Sequence, residues 1–349
     1  MESCEIFARL PEALLPWYEE NRRDLPWRKD KDPYHIWVSE IMLQQTRVEA
    51  VKGYYSRFLE ALPTIDALAN ADDEKLHKLW EGLGYYSRVR NLKKAAQQIM
   101  ECHNGIFPET HKEVSDLAGI GPYTSGAICS IAYDLPTPAV DGNVLRVISR
   151  LTDDATPIEQ PAFRKGITEN LAAIYPRQAG AFTQALMELG ATVCGPNRKP
   201  DCDHCPCKAF CLGYARGTAE ALPVKKAKQQ RRKEEKTVFL LSCDGRYALC
   251  KRPKKGLLAG LWEFPNVPGK MELKTAISKV EGKGLKIKEI IRQVEKKHIF
   301  THVEWDMSGI YMEVKDCAGD FVWMDAKKID AEAALPTAFR QFWEEIRYV

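Results

Sequence analysis

Two carboxylates in unlike settings are the first residues able to do chemistry. Glu40 lies in "YHIWVSEIMLQQTRV", among Ile36, Trp37, Val38, Ile41, Met42 and Leu43. Apolar neighbours disfavour a charge, so this carboxyl is expected to keep its proton near neutral pH and to act as a general acid. Asp141 lies in "TPAVDGNVLRVISRL", where it and Asn143 flank Gly142 at the start of an amphipathic helix. It reads as a helix cap and as a better-solvated carboxylate that stays ionised. One protonated and one ionised carboxyl are the equipment for breaking a glycosidic bond through an oxocarbenium-like transition state.

Between them lies "LAGIGPYTSGAI", in which Gly119 and Gly121 permit a tight turn and Pro122 suits the first position of the next helix. Backbone N–H groups exposed at such a turn can hold one DNA phosphate without reading sequence. Tyr123 stands at its mouth. Further on, "VCGPNRKPDCDHCPCKAFC" places Cys194, Cys202, Cys205 and Cys211 at intervals of seven, two and five residues, with Cys207 as an extra thiol. Four clustered thiols form a metal-ligand set, and their spacing is compatible with either zinc or an iron–sulfur cluster. Arg198, Lys199 and Lys208 in the same loop offer positive charge to phosphates.

The elements that must carry these residues change character along the chain. From Glu5 to about Leu212 apolar residues recur every third or fourth position, as at Leu76, Leu79, Trp80 and Leu83, which predicts an all-helical domain over 1–212. Residues 213–236 are rich in charge and poor in apolar side chains, as an exposed basic linker is. From 237 to 349 the pattern is strand-like, with a hairpin expected at Asp244-Gly245 and a closing helix near Ala338 to Arg347, so a smaller α+β domain is predicted. The 349 residues are 45% hydrophobic with a net charge of +3, so any nucleic-acid surface must come from local clustering of Lys and Arg. Eleven cysteines without a secretory leader argue against a disulfide framework. No stretch reaches membrane-spanning length, and a cytoplasmic, nucleoid-associated protein is expected.

In order along the chain, "LPWR", "SEIMLQQT", "GLGYYSRVRNL", "GIGPYTSGA", "VDGNV" and the cysteine loop resemble the helix-hairpin-helix DNA glycosylases of the endonuclease III superfamily, most closely their MutY-type adenine branch. The resemblance implies a four-iron four-sulfur cluster on Cys194, Cys202, Cys205 and Cys211, with Cys207 outside the set. One departure is the first cysteine interval, seven residues where six is usual; Gly195 and Pro196 lie in the longer loop. The resemblance also implies that Glu40 protonates the leaving adenine and helps activate water. Asp141 would stabilise the sugar cation or form a transient adduct with it. Asn143 would orient that carboxylate, and Tyr123 would hydrogen-bond in the same pocket. Gln45 and Tyr85 would enter the duplex as the adenine leaves the stack, Gln184 would contact the flipped base, and Arg28 would line its pocket.

Where bifunctional relatives carry a lysine, this chain has Tyr123, and a phenol cannot form a Schiff base. The resemblance therefore implies a monofunctional, monomeric adenine DNA glycosylase of base excision repair, acting on double-stranded DNA with A opposite 8-oxoguanine or guanine. A DNA-binding damage sensor without activity is the competing class, and the presence of both Glu40 and Asp141 speaks against it. "KKGLLAGLWEFPNV" resembles the opening of a Nudix fold, yet the glutamate run such hydrolases use is missing from "PGKMELKTAISKVEGKGLKIK". That domain is expected to recognise 8-oxoguanine instead, through Phe300, Thr301 and His302 of "IFTHVEW", where the family has Phe-Ser-His. On a straight strand Thr301 would face away from the other two, so joint contact requires a bend.

Overall fold

A computed structural model of the chain describes residues 3–196, 199–226 and 230–347. The chain divides into two compact units, residues 1–70 with 90–227 and residues 71–89 with 228–349. The segment carrying Tyr85 thus packs with the second unit. The span expected as a linker includes most of the helix Leu212–Ala215 and the start of a strand at Arg232.

The first unit is built of helices. Asp32 caps the helix Pro33–Leu43 by accepting from the Tyr34 N–H, and eight of its residues, Glu40 among them, are buried. A helix apolar on nearly every side must sit inside the unit rather than on its surface. The helix Gly142–Thr152 starts at Asp141, whose side chain accepts from the Val144 N–H. It packs beside the helix Ala179–Thr192, and at their closest approach a Cβ on Gly190 would lie 2.7 Å from the Asn143 Cβ. Only glycine lets the two backbones approach so closely. Val144, Leu145, Val147, Ile148, Phe182, Leu186 and Leu189 join Ile6, Leu10 and Leu14 in one core.

The hairpin joins the helices His111–Ser115 and Pro122–Tyr133, with Gly121 as the N-cap and Pro122 in the first turn. Gly119 has φ +76°, and a Cβ there would lie 2.6 Å from the Asn91 Cβ. Both backbone sign and space therefore require glycine at that position.

The second unit is built on a mixed sheet of β1 (Arg232–Cys243), β2 (Arg246–Lys251), β3 (Trp262–Glu263), β4 (Asn266–Pro268), β5 (Ile287–Ile299), β6 (Val303–Val314) and β7 (Val322–Asp325). The main path runs β3-β2-β1-β6-β5, with β4 on β1 and β7 on β2. β1 and β6 pair in parallel, Arg232 opposite Val303 through Ser242 opposite Glu313. Side chains alternate along β1: Val238 and Leu240 face the helix Thr337–Ile346 through Phe339, Phe342 and Trp343. Phe239, Leu241 and Cys243 face Ala276 and Val280 of the helix Leu273–Glu281 on the opposite side. This period of two buries both faces of the strand. The hairpin at Asp244-Gly245 is present, with Cys243 opposite Arg246.

The bend that joint contact by Phe300, Thr301 and His302 requires is present. These residues form the turn between antiparallel β5 and β6, closed by the Phe300 N–H donating to the Val303 carbonyl at 2.8 Å. β5 ends because its register with β6 closes at Ile299 opposite Glu304, leaving the next residues to reverse the chain. Among the described residues, no helix is long and apolar enough to cross a membrane.

Candidate active site

In the first unit, side chains from three helices converge on a cavity of about 580 Å³. Glu40 enters from Pro33–Leu43, Tyr123 from Pro122–Tyr133, and Asp141 and Asn143 from the start of Gly142–Thr152. Arg28, Gln45 and Gln184 line the same space, so seven residues singled out from the sequence meet there. Tyr85, Phe300, Thr301 and His302 belong to the second unit. Gly119 and Gly121 lie in the hairpin turn and do not line the cavity.

Glu40 is 5% exposed. Burial, reinforced by the negative charge of Asp141, pushes its carboxyl up to about 7 against the opposing pull of Tyr123 and Arg28. The Tyr123 hydroxyl donates to Glu40 Oε2 at 2.6 Å and lies 3.9 Å from Met187 Sδ. Burial raises that phenol well above its ordinary value, so it stays a donor.

The expectation for Asp141 needs correction in its cause. The residue is half-buried, and burial pushes its carboxyl up rather than leaving it well solvated. Fixed donors oppose that push: the Val144 N–H donates to Oδ1 at 2.8 Å and Asn143 Nδ2 to Oδ2 at 2.7 Å. Preorganised donors take the place of water around the charge.

Behind Asn143 stands Arg146, a buried residue for which the sequence offered no signal beyond its place on the helix. Its Nη2 donates to Asn143 Oδ1 at 2.9 Å and to the Gly190 carbonyl at 2.7 Å, while Nε donates to the Cys194 carbonyl at 2.9 Å. Arg146→Ala strips the donor from three acceptors. It is expected to cost about 2–4 kcal/mol of stability, measured by chemical denaturation, and a lysine is expected to recover little of it because one ammonium cannot span the fork. An alanine variant as stable as the parent would show that water replaces the guanidinium.

Glu188 was also missed, although its spacing of four from Gln184 on one helix places both on one face. It is fully buried. Arg23 donates to it from Nε at 2.6 Å and Nη2 at 3.0 Å, and Arg28 Nη2 donates at 2.7 Å. Burial works against its charge, but the two guanidinium groups hold its carboxyl below the usual range. This network fixes Arg28 at the cavity wall.

Cys194, Cys202, Cys205 and Cys211 line one small cavity with Val147, Leu151, Leu189 and Arg150, and buried Cys207 is not among its walls. Arg150 Nη1 donates to Cys194 Sγ at 3.2 Å. Among the described residues, three metal-ligating atoms come within 4.8 Å of one another only at Cys243, Asp244 and Cys317, so these four thiols are spread more widely. A single tetrahedral zinc draws its sulfurs to about 3.8 Å from one another, from Zn–S bonds near 2.3 Å. Four thiols around one cavity are consistent with an iron–sulfur cluster. Of the loop's cations, Lys199 pairs with Glu220 at 3.4 Å and Lys208 with Asp203 at 2.6 Å; Arg198 lies outside the described residues.

In the second unit the Tyr85 hydroxyl and the Thr301 hydroxyl are hydrogen-bonded to each other. Tyr85 is 45% exposed, and Phe300 packs on Trp305 with ring centroids 4.8 Å apart. Gln45 and Tyr85 both have left-handed backbones, with φ 59° and 46°. Such strain in non-glycine residues is concentrated at functional positions.

Residues 38–165 match the HhH-GPD superfamily of base excision DNA repair proteins, and residues 237–345 match the NUDIX domain. An adenine DNA glycosylase of Rattus norvegicus is 33% identical over 96% of this chain and 74% of its own length. One from Buchnera aphidicola is 34% identical over 86% of this chain and 85% of its own. The chain spans 56% of the length of an Arabidopsis thaliana adenine DNA glycosylase that is 38% identical to it over 86% of this chain. Among solved structures, a thermostable thymine-DNA glycosylase aligns with TM-score 0.55 and 28% identity over 61% of this chain and 97% of its own. A trapped endonuclease III–DNA covalent intermediate aligns at 0.53 and 21% over 62% of this chain and 99% of its own, a likeness of fold.

Proposed function

The chain belongs to the adenine DNA glycosylase family of the HhH-GPD superfamily, and from that premise we propose that it excises adenine mispaired with 8-oxoguanine, or with guanine, from duplex DNA, as a monofunctional monomer. The observation that carries this reading is one cavity holding Glu40, whose carboxyl burial pushes up to about 7, and Asp141, whose carboxyl is fixed by backbone and amide donors.

Adenine turned out of the stack enters the cavity, where Arg28, Gln184 and the Glu188-anchored wall receive it. Glu40 gives its proton to the leaving base, with Tyr123 holding the carboxyl in place. The Asp141 carboxylate opposes the positive charge that grows on the sugar, and Asn143 and Arg146 keep it aimed. Glu40, now ionised, takes a proton from the attacking water. No lysine is among the described residues lining the cavity, so a Schiff base has no amine donor there. The product is therefore an intact strand with an abasic site.

Gln45 and Tyr85, both on left-handed backbones, serve to fill the gap in the duplex. The hairpin N–H groups around Gly119 and Gly121 grip a phosphate. Because Phe300, Thr301 and His302 sit on a turn, they can face a single base together, which supports their reading as the contact to 8-oxoguanine. The helix Leu273–Glu281, LKTAISKVE, has one carboxylate and two lysines, which supports recognition rather than magnesium-dependent hydrolysis by this domain. Cys194, Cys202, Cys205 and Cys211 would hold a four-iron four-sulfur cluster. When bound, it supplies a covalent cross-brace for the loop.

The test is single-turnover incubation with end-labelled duplexes carrying A opposite 8-oxoguanine, guanine or thymine, followed by alkali. Alkali-labile breaks are expected at the mispaired adenines and not at A·T, with no break before alkali and no borohydride-trapped complex. An uncut A·8-oxoguanine duplex would sink the reading, and efficient borohydride capture would overturn its monofunctional part.

A further inference from the structure

Six cysteines lie outside the 194–211 loop, and two of them come together in the second unit. Cys243 ends β1 and is buried; Cys317 lies at the surface in the loop that follows β6. Asp244 opens the β1–β2 turn. Cys243 Sγ, an Asp244 carboxylate oxygen and Cys317 Sγ all lie within 4.8 Å of one another. Cys243 Sγ is 3.9 Å from Asp244 Oδ2, and Cys317 Sγ donates to the Cys243 carbonyl at 3.6 Å.

Each ligand has a fixed anchor. Asp244 and Gly245 both have positive φ, 48° and 71°, a pair that holds a tight hairpin turn in one form. β1 is locked to β6 through Ser242 opposite Glu313, and the loop beyond is pinned by the Lys315 N–H on the Lys286 carbonyl at 2.8 Å and the Ala318 N–H on the Asp316 carbonyl at 2.9 Å. The side chains therefore need only rotamer adjustments of about 1 Å to reach the roughly 3.8 Å ligand spacing of a tetrahedral ion.

The charges around the group also favour a cation. Asp244 and Asp316 place negative charge beside the Cys243 thiol. Lys288, whose charge is felt by Asp244, is engaged with Glu313 at 2.9 Å. Two sulfurs and one carboxylate oxygen are a borderline-soft donor set with room for a water as fourth ligand.

The geometry points to a binding site for one zinc-class divalent cation on Cys243, Asp244 and Cys317, which would staple the β1–β2 hairpin tip to the loop between β6 and β7. Binding replaces two thiol protons with two metal–sulfur bonds and releases those protons to solvent. The site is separate from the cavity of Glu40 and Asp141, and nothing in the proposed excision chemistry requires it.

The experiment uses the full chain with its iron content measured, kept under a non-thiol reductant. Equilibrium dialysis against micromolar free zinc is run for the wild type, Cys317→Ala and Asp244→Ala. The wild type is expected to retain one zinc per chain more than Cys317→Ala, and Asp244→Ala to bind at least tenfold more weakly. Cobalt in place of zinc is expected to give a thiolate charge-transfer band in the wild-type difference spectrum that the cysteine variant lacks. Zinc is also expected to raise the melting temperature of the wild type alone. Because Cys317 is at the surface, its variant is expected to fold, and unchanged adenine excision checks this. Equal zinc retention by the wild type and Cys317→Ala overturns the site, as does a Cys243–Cys317 disulfide found as the resting form under these conditions.

Discussion

Glu40→Gln is expected to lower the single-turnover rate of adenine excision by about 10³-fold while leaving binding to A·8-oxoguanine duplex within a few-fold of wild type. A positioned general acid is worth roughly 10²–10⁴ in rate, and an amide cannot deliver a proton. The substitution keeps an oxygen for the Tyr123 hydroxyl, which donates at 2.6 Å, so the cavity retains its shape. The pH dependence is a second signature. Since burial pushes the Glu40 carboxyl up to about 7, wild-type excision is expected to fall about tenfold per unit as pH rises beyond that value, and the residual rate of the variant to lack this descent.

Stability should move the other way. A carboxyl whose folded value is raised binds its proton more tightly in the native state, so its contribution is fully present below about 4.5 and is lost as pH rises through about 7. Glutamine carries no such penalty, so the variant is expected to match the wild type near pH 4 and to exceed it by up to about 3 kcal/mol at pH 8. Chemical denaturation at both pH values measures this. A variant that excises within tenfold of wild type would show that another group protonates adenine, and a folded variant that no longer binds lesion DNA would make Glu40 a structural residue.

Asp141→Asn isolates charge from fold. Asparagine is as good an N-cap as aspartate, and its carbonyl oxygen can still accept from the Val144 N–H, so stability is expected to stay within about 1 kcal/mol. Excision is expected to fall about 10³-fold, because the site loses the fixed negative charge that meets the sugar cation. The new amide also faces Asn143 Nδ2, and Asn143 cannot turn its oxygen inward without giving up Arg146. Two donors are then opposed, which adds disorder at the reacting centre. Thermal melts with single-turnover kinetics separate the two effects. An unstable variant would make the cap the main role of Asp141, and a variant with near wild-type rate would remove it from the chemistry.

Much of this site was legible because its signals are local. Glu40 was conspicuous as one acid in an apolar run, and a helix buried on nearly all sides carries that run. The cysteines were conspicuous by clustering, and Gly119 by a turn that its φ of +76° and the nearby Asn91 both require. Other features carried no local mark. Phe300, Thr301 and His302 look like strand residues one by one, and only the β5–β6 register makes them a turn. Glu188 looks like an ordinary helix acid until Arg23 and Arg28, 165 and 160 residues away in sequence, close around it. Tyr85 sits in a helical stretch, yet its segment packs with the sheet-containing unit.

The amino-acid sequence by itself indicated a helical first part and a strand-bearing second, the cap at Asp141 and the hairpin at Asp244-Gly245, and its motifs resembled the family to which the chain belongs. These follow from periodicity, side-chain type and spacing, which act over a few residues. Tertiary structure alone decided that Glu40 and Tyr123, 83 residues apart, share a 2.6 Å hydrogen bond, and that fixed donors from Val144 and Asn143 engage the half-buried Asp141 carboxyl. It also gathered the four loop thiols around one small cavity and drew Cys243 and Cys317 together. The reason is physical: acidity, metal fit and catalysis depend on distances and burial between side chains remote in sequence, and those are set when helices and strands pack.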